Sequence, residues 1–336
     1  MTITIKDIAE LARVSKGTVS RVINGGPGVG EDTRKRILKL IKELDFQPNA
    51  SAQGLAAKRS NNIGVIIPHT GSYSMSSAYW PTLLTAITEK AASRDYNVLL
   101  STTRSEEDID SAYKSILKGR RIDGIIIGAE QFGDKQLAEL LLKDFPFVMV
   151  GKSLNISHYY VDVDNVGGAR RMTEHLISMG HKKIALLAGP ESFPSVEERV
   201  KGFKLAMEEA GLEPNHIYYC PYWTERSLQI SREIIRSGFG ITAIFAAAAD
   251  FLTGVIKVTR EEKLRLPDDL ALVSFDNHPL YEYFSPAITA VNQPIDQLGE
   301  SAANLLFQLI EGKVPGEKNL ILPTELIIRE SCGYRA

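Results

Sequence analysis

Cysteine and long apolar runs are both scarce in this sequence of 336 residues. The two cysteines, Cys220 and Cys332, lie far apart and match no metal-binding spacing, which is typical of a reduced protein without disulfide bonds. No apolar run approaches the ~20 residues that a membrane-spanning helix needs. No signal-like segment precedes the first predicted helix. We therefore expect a cytoplasmic protein.

Motifs of the common enzyme classes are also absent. The sequence contains no G-x-S-x-G elbow, no H-E-x-x-H zinc motif and no phosphate-binding loop that ends in Gly-Lys-Ser/Thr. Residues 25–30, GGPGVG, are rich in glycine, but no predicted strand precedes them, and a loop between two helices is the better interpretation. The six histidines do not cluster at metal-binding spacing. We expect neither an enzyme nor a metal or cofactor.

Charge is unevenly distributed along the chain. The formal net charge is only −2, which by itself would not suggest a nucleic-acid partner. The first 60 residues, however, hold 11 Lys and Arg against 6 Asp and Glu, and the remainder holds 28 against 35. A basic N-terminal segment on an acidic body indicates a DNA-binding domain joined to a separate globular domain.

Residues 4–24, TIKDIAELARVSKGTVSRVIN, predict two short helices on either side of a tight turn. Thr4 is placed to cap the first helix, with Asp7 as a weaker capping-box partner. The turn comprises residues 13–15, and Ser15 can cap a second helix that runs to about residue 23. The apolar residues that should face inward are Ile8, Leu11 and Ala12 in the first helix and Val19, Val22 and Ile23 in the second.

A helix-turn-helix of this kind can place the exposed face of its second helix in the major groove of DNA, where Arg and Lys pair with guanine edges. The alternative is an ordinary helical hairpin with a solvated face. A third helix over residues 31–44 would complete the core through Ile37, Leu38, Ile41 and Leu44. The candidate DNA contacts are Thr4, Ser15, Lys16, Gly17, Thr18, Ser20, Arg21, Asn24 and Thr33, with Arg34 and Lys35 as further phosphate candidates.

Residues 4–24 resemble, almost throughout, the opening motif of the lactose/galactose-repressor (LacI/GalR) family of bacterial transcription regulators. The resemblance continues at residues 161–189, ERVKGF (198–203), LPDDLALVSFDN (266–277), residues 291–306 and LIIRES (326–331). It implies a DNA-binding domain at residues 1–48, a hinge at 49–60, and an effector-binding and dimerisation domain at 61–336. The chain stops soon after LIIRES, without a leucine-heptad tail, so a homodimer is expected.

The segment NASAQGLAAKR, residues 49–59, is either a plain linker or a hinge. The family resemblance implies a hinge that becomes helical on operator DNA and inserts a leucine into the minor groove. Leu55 stands at that position, and Asn49 and Ala52 are further candidate DNA contacts. The alanines favour a conditional helix, whereas Gly54 disfavours it by about 1 kcal/mol relative to alanine.

From residue 61 onward, short apolar runs alternate with amphipathic segments. The predicted strands are 63–68, 97–102, 123–128, 147–151, 159–163, 183–188, 217–220, 242–247 and 270–275. The predicted helices lie near 80–94, 106–119, 134–143, 165–180, 196–211, 224–237 and 250–263. This alternation predicts an α/β body with parallel sheets and helices on both faces, in two similar lobes. Ligands of such sheets bind at the carboxyl ends of the strands.

The resemblance implies the fold of periplasmic sugar-binding proteins, with three crossings between lobes near residues 161, 291 and 323. The N-lobe would comprise about 61–160 plus 292–322, and the C-lobe about 161–291 plus 323–336. A sugar site needs planar polar groups, carboxylates and an aromatic face. Arg199 and Asp276 match the family's effector-binding arginine and aspartate, and together such residues can clasp neighbouring hydroxyls. A surface helix charge and a turn residue are the respective alternatives.

Further candidates for the effector site are Tyr79, Trp80, Lys152, Trp223 and Asp250. Simple packing is an equally reasonable role for the aromatic residues. Two departures from the family pattern stand out. Ala249 replaces the asparagine that usually precedes Asp250, which removes one hydroxyl-binding amide. Gly17 presents no side chain at a base-reading position, so Lys16 and Arg21 must carry more of the DNA contacts.

These observations predict a ligand-responsive transcription regulator, in particular a repressor that binds a palindromic operator as a dimer. Its partners would be double-stranded DNA, at the nucleoid, and a small molecule, for which a sugar is the first choice. The alternative is a corepressor-type regulator that senses a purine or a phosphorylated metabolite. A solute-binding protein of transport or chemotaxis is a weaker alternative, because the DNA-binding segment would then have no role.

Overall fold

The computed structural model describes residues 3–23, 25–46, 59–67, 78–102, 106–117, 121–128, 134–153, 156–222 and 225–334. They fall into two compact units, Met1–Asn61 and Asn62–Ala336, called here the head and the body. Among the helices in these ranges, none is long and apolar enough to cross a membrane. Asn24, Trp223 and most of the predicted hinge, including Asn49, Ala52 and Leu55, lie outside the described residues.

Three helices form the head: α1 (Ile5–Leu11), α2 (Lys16–Ile23) and α3 (Glu31–Glu43). The predicted capping box begins α1, because the Asp7 N–H donates to Thr4 Oγ1 (3.4 Å) and the Thr4 N–H donates to the Asp7 carboxylate (2.8 Å). The hydrogen bond that the Thr4 hydroxyl donates to the Asp7 carboxylate has the largest effect on the pKa of Asp7, which it lowers. Ser15 caps α2 by accepting the N–H of Thr18 at 3.1 Å. The predicted helix-turn-helix is confirmed.

The head's small core shows where amphipathic spacing misleads. Its buried members are Ile8, Ala9, Ala12, Val19, Val22, Ile37 and Phe46. Two predicted core residues are wrong, since Leu11 is 58% and Leu38 is 48% exposed. At about 100° per residue, Leu11 lies roughly 110° from the centre of the face that Ile8, Ala9 and Ala12 share. Leu38 is displaced by about 100° from Ile37 in the same way, and Ala9 and Leu40 take the inward places.

The body alternates strands and helices as predicted. Its strands are β1 (Asn62–Ile67), β2 (Asn97–Thr102), β3 (Gly124–Gly128), β4 (Phe147–Val150), β5 (Tyr160–Val163), β6 (Ile184–Ala188), β7 (Ile217–Tyr219), β8 (Ala243–Ala246), β9 (Ala271–Phe275), β10 (Thr289–Asn292), β11 (Asn319–Leu322) and β12 (Glu325–Ile327). Its helices are α4 (Tyr79–Ala92), α5 (Glu106–Leu117), α6 (Asp134–Leu142), α7 (Asn165–Ser178), α8 (Pro194–Glu209), α9 (Glu225–Arg236), α10 (Ala249–Glu261) and α11 (Ile295–Ile310). Every predicted strand and helix is present within about two residues of its predicted bounds.

Two six-stranded sheets define two lobes. The first has the order β11-β5-β4-β3-β1-β2, and all its neighbouring strands are parallel. The second has the order β12-β10-β9-β8-β6-β7, parallel except for the antiparallel pair β10–β12. Strands such as β3 and β9 are buried along their whole length, as parallel strands covered on both faces must be.

Helices cover both faces of each sheet. In the first lobe, α4 and α11 pack on one face and α5 and α6 on the other. In the second lobe, α7 and α8 pack on one face and α9 and α10 on the other. The pair α7–α8 comes together at Gly202, where a Cβ atom would overlap the Val166 carbonyl oxygen and lie 2.9 Å from the Arg170 nitrogen. Glycine is therefore required for this close approach.

The chain crosses between the lobes three times, near residues 164, 293 and 323. The predicted first boundary at 161 is too early, because β5 pairs with β4 in the first sheet through Met149 and Tyr160. Pattern alone could not assign β5, since a strand followed by a helix suits either lobe. Two of the crossings lie side by side: the Asp164 N–H donates to the Leu322 carbonyl at 2.9 Å, and Arg171 donates to the Thr324 carbonyl at 3.0 Å.

Candidate functional site

The second helix of the head presents a polar face. Lys16, Gly17 and Arg21 are exposed, Ser20 is partly buried, and Val19 on the opposite side is fully buried. This arrangement follows from the sequence, because the two sets of residues alternate at helical spacing. A side chain at position 17 would meet only Ser15 Oγ, at 3.7 Å from the added Cβ. Gly17 is thus not required by packing.

The remaining head candidates have local roles in the structure. The hydroxyls of Ser15 and Thr18 are hydrogen-bonded to each other at 2.9 Å, at the start of α2. The Thr4 hydroxyl lies 2.7 Å from the Asp7 carboxylate and donates to it. Arg34 donates to the Gly26 carbonyl at 2.6 Å, which ties α3 to the glycine-rich loop. Thr33 is partly buried beside it.

Arg199 lies at the lobe crossing and is 8% exposed. It projects from α8, and its Nε donates to Asn165 Oδ1 at 3.0 Å while Nη1 donates to the Ala247 carbonyl at 2.7 Å. The guanidinium carbon stacks 3.8 Å from the centre of the Phe275 ring. These contacts fix the plane of the guanidinium. Among the described residues, its Nη2 has no hydrogen-bond partner, which leaves one donor edge for a ligand.

Asp276 follows β9, at the carboxyl end of the second sheet. Its backbone is in the left-handed region, with φ 74°, a conformation that aspartate tolerates better than most residues. One carboxylate oxygen accepts the Ala249 N–H at 3.2 Å, and the other accepts the amide of the buried Gln293. Asp250 is the next residue on α10.

Lys152 follows β4 in the first lobe and forms an ion pair with Glu198 on α8 of the second lobe. Each side chain is 23% exposed. Burial lowers the pKa of Lys152, but the hydrogen bond and the charge of Glu198 outweigh it and leave that pKa above its usual value. The candidate lysine is therefore at the cleft, and its charge is matched by a carboxylate from the opposite lobe.

Asp162 lies at the same crossing, within β5, and is 7% exposed. Its Oδ1 accepts the Val163 N–H at 2.7 Å and the Asn165 amide at 3.2 Å. Burial raises the pKa of Asp162 to about 6. This value is the net result of several effects: the charge of Glu198 acts with burial, whereas the hydrogen bond from Val163 and the charges of Lys152 and Arg199 act in the opposite direction.

The aromatic candidates that the structure describes belong to the first lobe. The rings of Tyr79 and Trp80 meet edge to face with their centres 5.2 Å apart. Both residues are partly buried at the start of α4 and pack against the core of that lobe. Their amphipathic rings can therefore support the fold and still present a surface to a ligand.

Four residues of this cluster were not predicted: Asp162, Asn165, Glu198 and Gln293. Asn165 connects Asp162, Glu198 and Arg199, because its amide contacts the first two (3.4 Å to Glu198 Oε2) while its carbonyl oxygen accepts from Arg199. One signal was present in the sequence: Asp162 and Asn165 flank the end of a strand, where ligand-binding residues of parallel sheets collect. In the described part of the chain, no His, Cys, Asp and Glu side chains are grouped to hold a metal.

The chain is similar to known proteins in both of its units. The model of bacterial regulatory proteins of the lacI family matches residues 4–49, and that of the periplasmic binding protein-like domain matches residues 173–332. The ribose operon repressor of Halalkalibacterium halodurans is 33% identical over 328 residues, which cover 98% of this chain and 96% of that protein.

Two solved structures extend the similarity. The complex of the transcriptional regulator CelR with cellobiose is 30% identical with a TM-score of 0.76, over 98% of this chain and 99% of that one. The lac repressor dimer, bound to operator and the anti-inducer ONPF, is 26% identical with a TM-score of 0.87, over 99% of each chain. Matched by the family model in its head and by a relative over nearly its whole length, the chain belongs to the LacI family of bacterial regulatory proteins.

Proposed function

We propose that this regulator is a repressor that binds a palindromic operator as a homodimer and responds to a sugar bound between its lobes. The observation that carries the proposal is the pairing, in one chain, of an exposed basic helix with a preorganised Arg199–Asp276 site. The basic face of Lys16 and Arg21 suits the major groove. A hinge at residues 49–60 would join the head to the body.

A sugar fits the chemistry of the cleft. The free edge of Arg199 donates hydrogen bonds, Asp276 accepts them, and each is held in place by other contacts. Charge-assisted hydrogen bonds of this type can hold neighbouring hydroxyl groups of a ring. Tyr79 or Trp80 would supply the apolar face. Two similar proteins support this class of ligand, since one is a ribose operon repressor and the other is solved in complex with cellobiose.

Control of DNA binding would arise from lobe closure. The residues proposed to hold the ligand come from both lobes, so the ligand binds more tightly when the lobes are closed than when they are open. This difference in affinity shifts the equilibrium toward the closed state. The crossings near residues 164, 293 and 323 must all bend when the lobes move. Movement transmitted to two hinges across a dimer changes operator affinity, typically by ~1–3 kcal/mol.

The operator is tested by selection from a library of random duplexes with the full-length protein at about 0.15 M salt. We expect enrichment of one palindrome, bound at least ~10³-fold more tightly than random duplex. Equal retention of all sequences would contradict the proposal. A dimer is checked on the same complex by analytical ultracentrifugation.

The effector is tested by a thermal-shift screen of sugars, sugar phosphates, nucleosides and purines. A stabilisation by several degrees with one sugar supports the proposal, and the hit is then measured for its effect on operator affinity. A hit confined to purines would favour the corepressor alternative instead. A ligand that stabilises the protein but leaves operator affinity unchanged would contradict the proposed control.

A further inference from the structure

The ion pair between Lys152 and Glu198 limits which chemical classes of effector the cleft can bind. The two residues come from opposite lobes, so their contact exists only while the lobes are close together. Glu198 directly precedes Arg199 on α8. Both side chains contact Asn165, which places the carboxylate beside the guanidinium of the proposed ligand site.

Glu198 is held by more than Lys152. Its Oε2 lies 3.4 Å from the amide of Asn165, which is itself 1% exposed and bonded to Asp162 and Arg199. A fixed carboxylate of this kind occupies the lysine head group, which would otherwise be the natural partner of a phosphate. The lysine and the carboxylate cancel each other as charges.

The charge of the site is counted over the residues that the structure describes. Among them the cations are Lys152 and Arg199, and the anions are Asp162, Glu198, Asp250 and Asp276. With all six ionised, their summed formal charge is −2. A dianionic phosphate would enter a field of its own sign, whereas the hydroxyls of an uncharged ligand find both donors and acceptors.

We propose that Glu198 is a specificity-determining residue, which occupies Lys152 and restricts the cleft to uncharged, hydroxyl-rich ligands. Phosphorylated compounds are rejected because they would leave Glu198 without its partner or approach it as a like charge. This inference rests on the proposed function, as it concerns the same cleft.

The experiment uses the full-length protein and inorganic phosphate as the probe, with binding measured by calorimetry at constant ionic strength. The substitution Glu198→Gln keeps the shape of the side chain and removes its negative charge, so Lys152 loses its ion-pair partner. We expect Glu198→Gln to bind phosphate at least tenfold more tightly than the wild type. The double variant Lys152→Gln/Glu198→Gln should lose this gain. Glu197→Gln, at the neighbouring exposed position of α8, is the matched control and should behave as the wild type.

Two results would overturn the inference. One is equal phosphate affinity in Glu198→Gln and the wild type, with both proteins folded by circular dichroism. The other is a wild-type protein that binds a sugar phosphate more tightly than the parent sugar. Should Glu198→Gln not fold, Glu198→Ser provides the same comparison. None of these measurements uses DNA, so a failure of operator binding and a failure of effector selection are seen separately.

Discussion

Replacement of Asp162 by asparagine is expected to stabilise the protein at neutral pH. Its carboxylate is buried at the lobe crossing, with Oδ1 accepting two hydrogen bonds. Asparagine retains that oxygen and removes a negative charge from the vicinity of Glu198. The variant therefore keeps the local hydrogen bonds and removes the unfavourable burial of charge.

The magnitude follows from the shifted pKa of Asp162. Folding raises this pKa from 3.8, the ordinary value for aspartate, to about 6. At about 1.36 kcal/mol per pKa unit, the ionised carboxylate costs about 3 kcal/mol of folding free energy at pH 7.5. The folded protein binds the proton more tightly, so unfolding releases it between pH 4 and 6. Wild-type stability therefore falls, relative to the variant, as pH rises through this window.

The assay is urea unfolding of wild type and Asp162→Asn from pH 4.5 to 7.5, followed by circular dichroism. The advantage of the variant should grow by about 2 kcal/mol over this range, from about 1 to about 3. Asp95→Asn, in the exposed turn after α4, serves as the control and should show no such trend. A difference between wild type and Asp162→Asn that is constant with pH would refute the reasoning.

Three further substitutions test other parts of the molecule. Gly17→Ala should slow hydrogen exchange in α2, by stabilising the helix by up to about 1 kcal/mol, because the added methyl meets no obstacle; unchanged or faster exchange would contradict this. Arg199→Lys should lower the affinity for the effector at least tenfold, measured by calorimetry, and should leave operator binding in the absence of effector unchanged. Arg260→Lys, at an exposed position, is the control. Gly202→Ala should lower the free energy of unfolding in urea by about 1–3 kcal/mol through overpacking. Gly254→Ala, whose nearest contact would be 3.4 Å away, is its tolerated counterpart.

Sequence patterns predicted the fold closely because local interactions define most of its elements. The capping box of Thr4 and Asp7 needs only residues three apart, and both of its hydrogen bonds are present. Buried parallel strands such as β3 are short apolar runs, and their length and flanking glycines favour a strand over a buried helix. The error at Leu11 arose because a three-residue spacing fits either side of an inward face, and only tertiary packing selected Ala9.

The site was predictable only in part. Arg199 and Asp276 could be proposed from the sequence because a family motif and a strand end mark them. Glu198 could not be assigned from the sequence, since its partner Lys152 is 46 residues away and belongs to the opposite lobe. Gln293 reaches Asp276 because the two residues follow the neighbouring parallel strands β10 and β9, a pairing that the sequence patterns did not predict. Side chains that meet across a cleft leave no periodic signal in the sequence.

The late position of α11 and β11 in the chain has a consequence for biosynthesis. The apolar face of the first sheet, begun at Asn62, is covered by α11 through Leu298, Ala302 and Leu306. Ribosomes add ~5–20 residues per second, so roughly 12–50 s separate the synthesis of β1 from that of α11. The head emerges complete during this time, while the face of the first sheet that α4 and α11 share is still only partly covered. A nascent chain can thus carry a finished DNA-binding unit before its regulatory lobe exists, and a chaperone that shields β1, β3 and β4 would act in that interval.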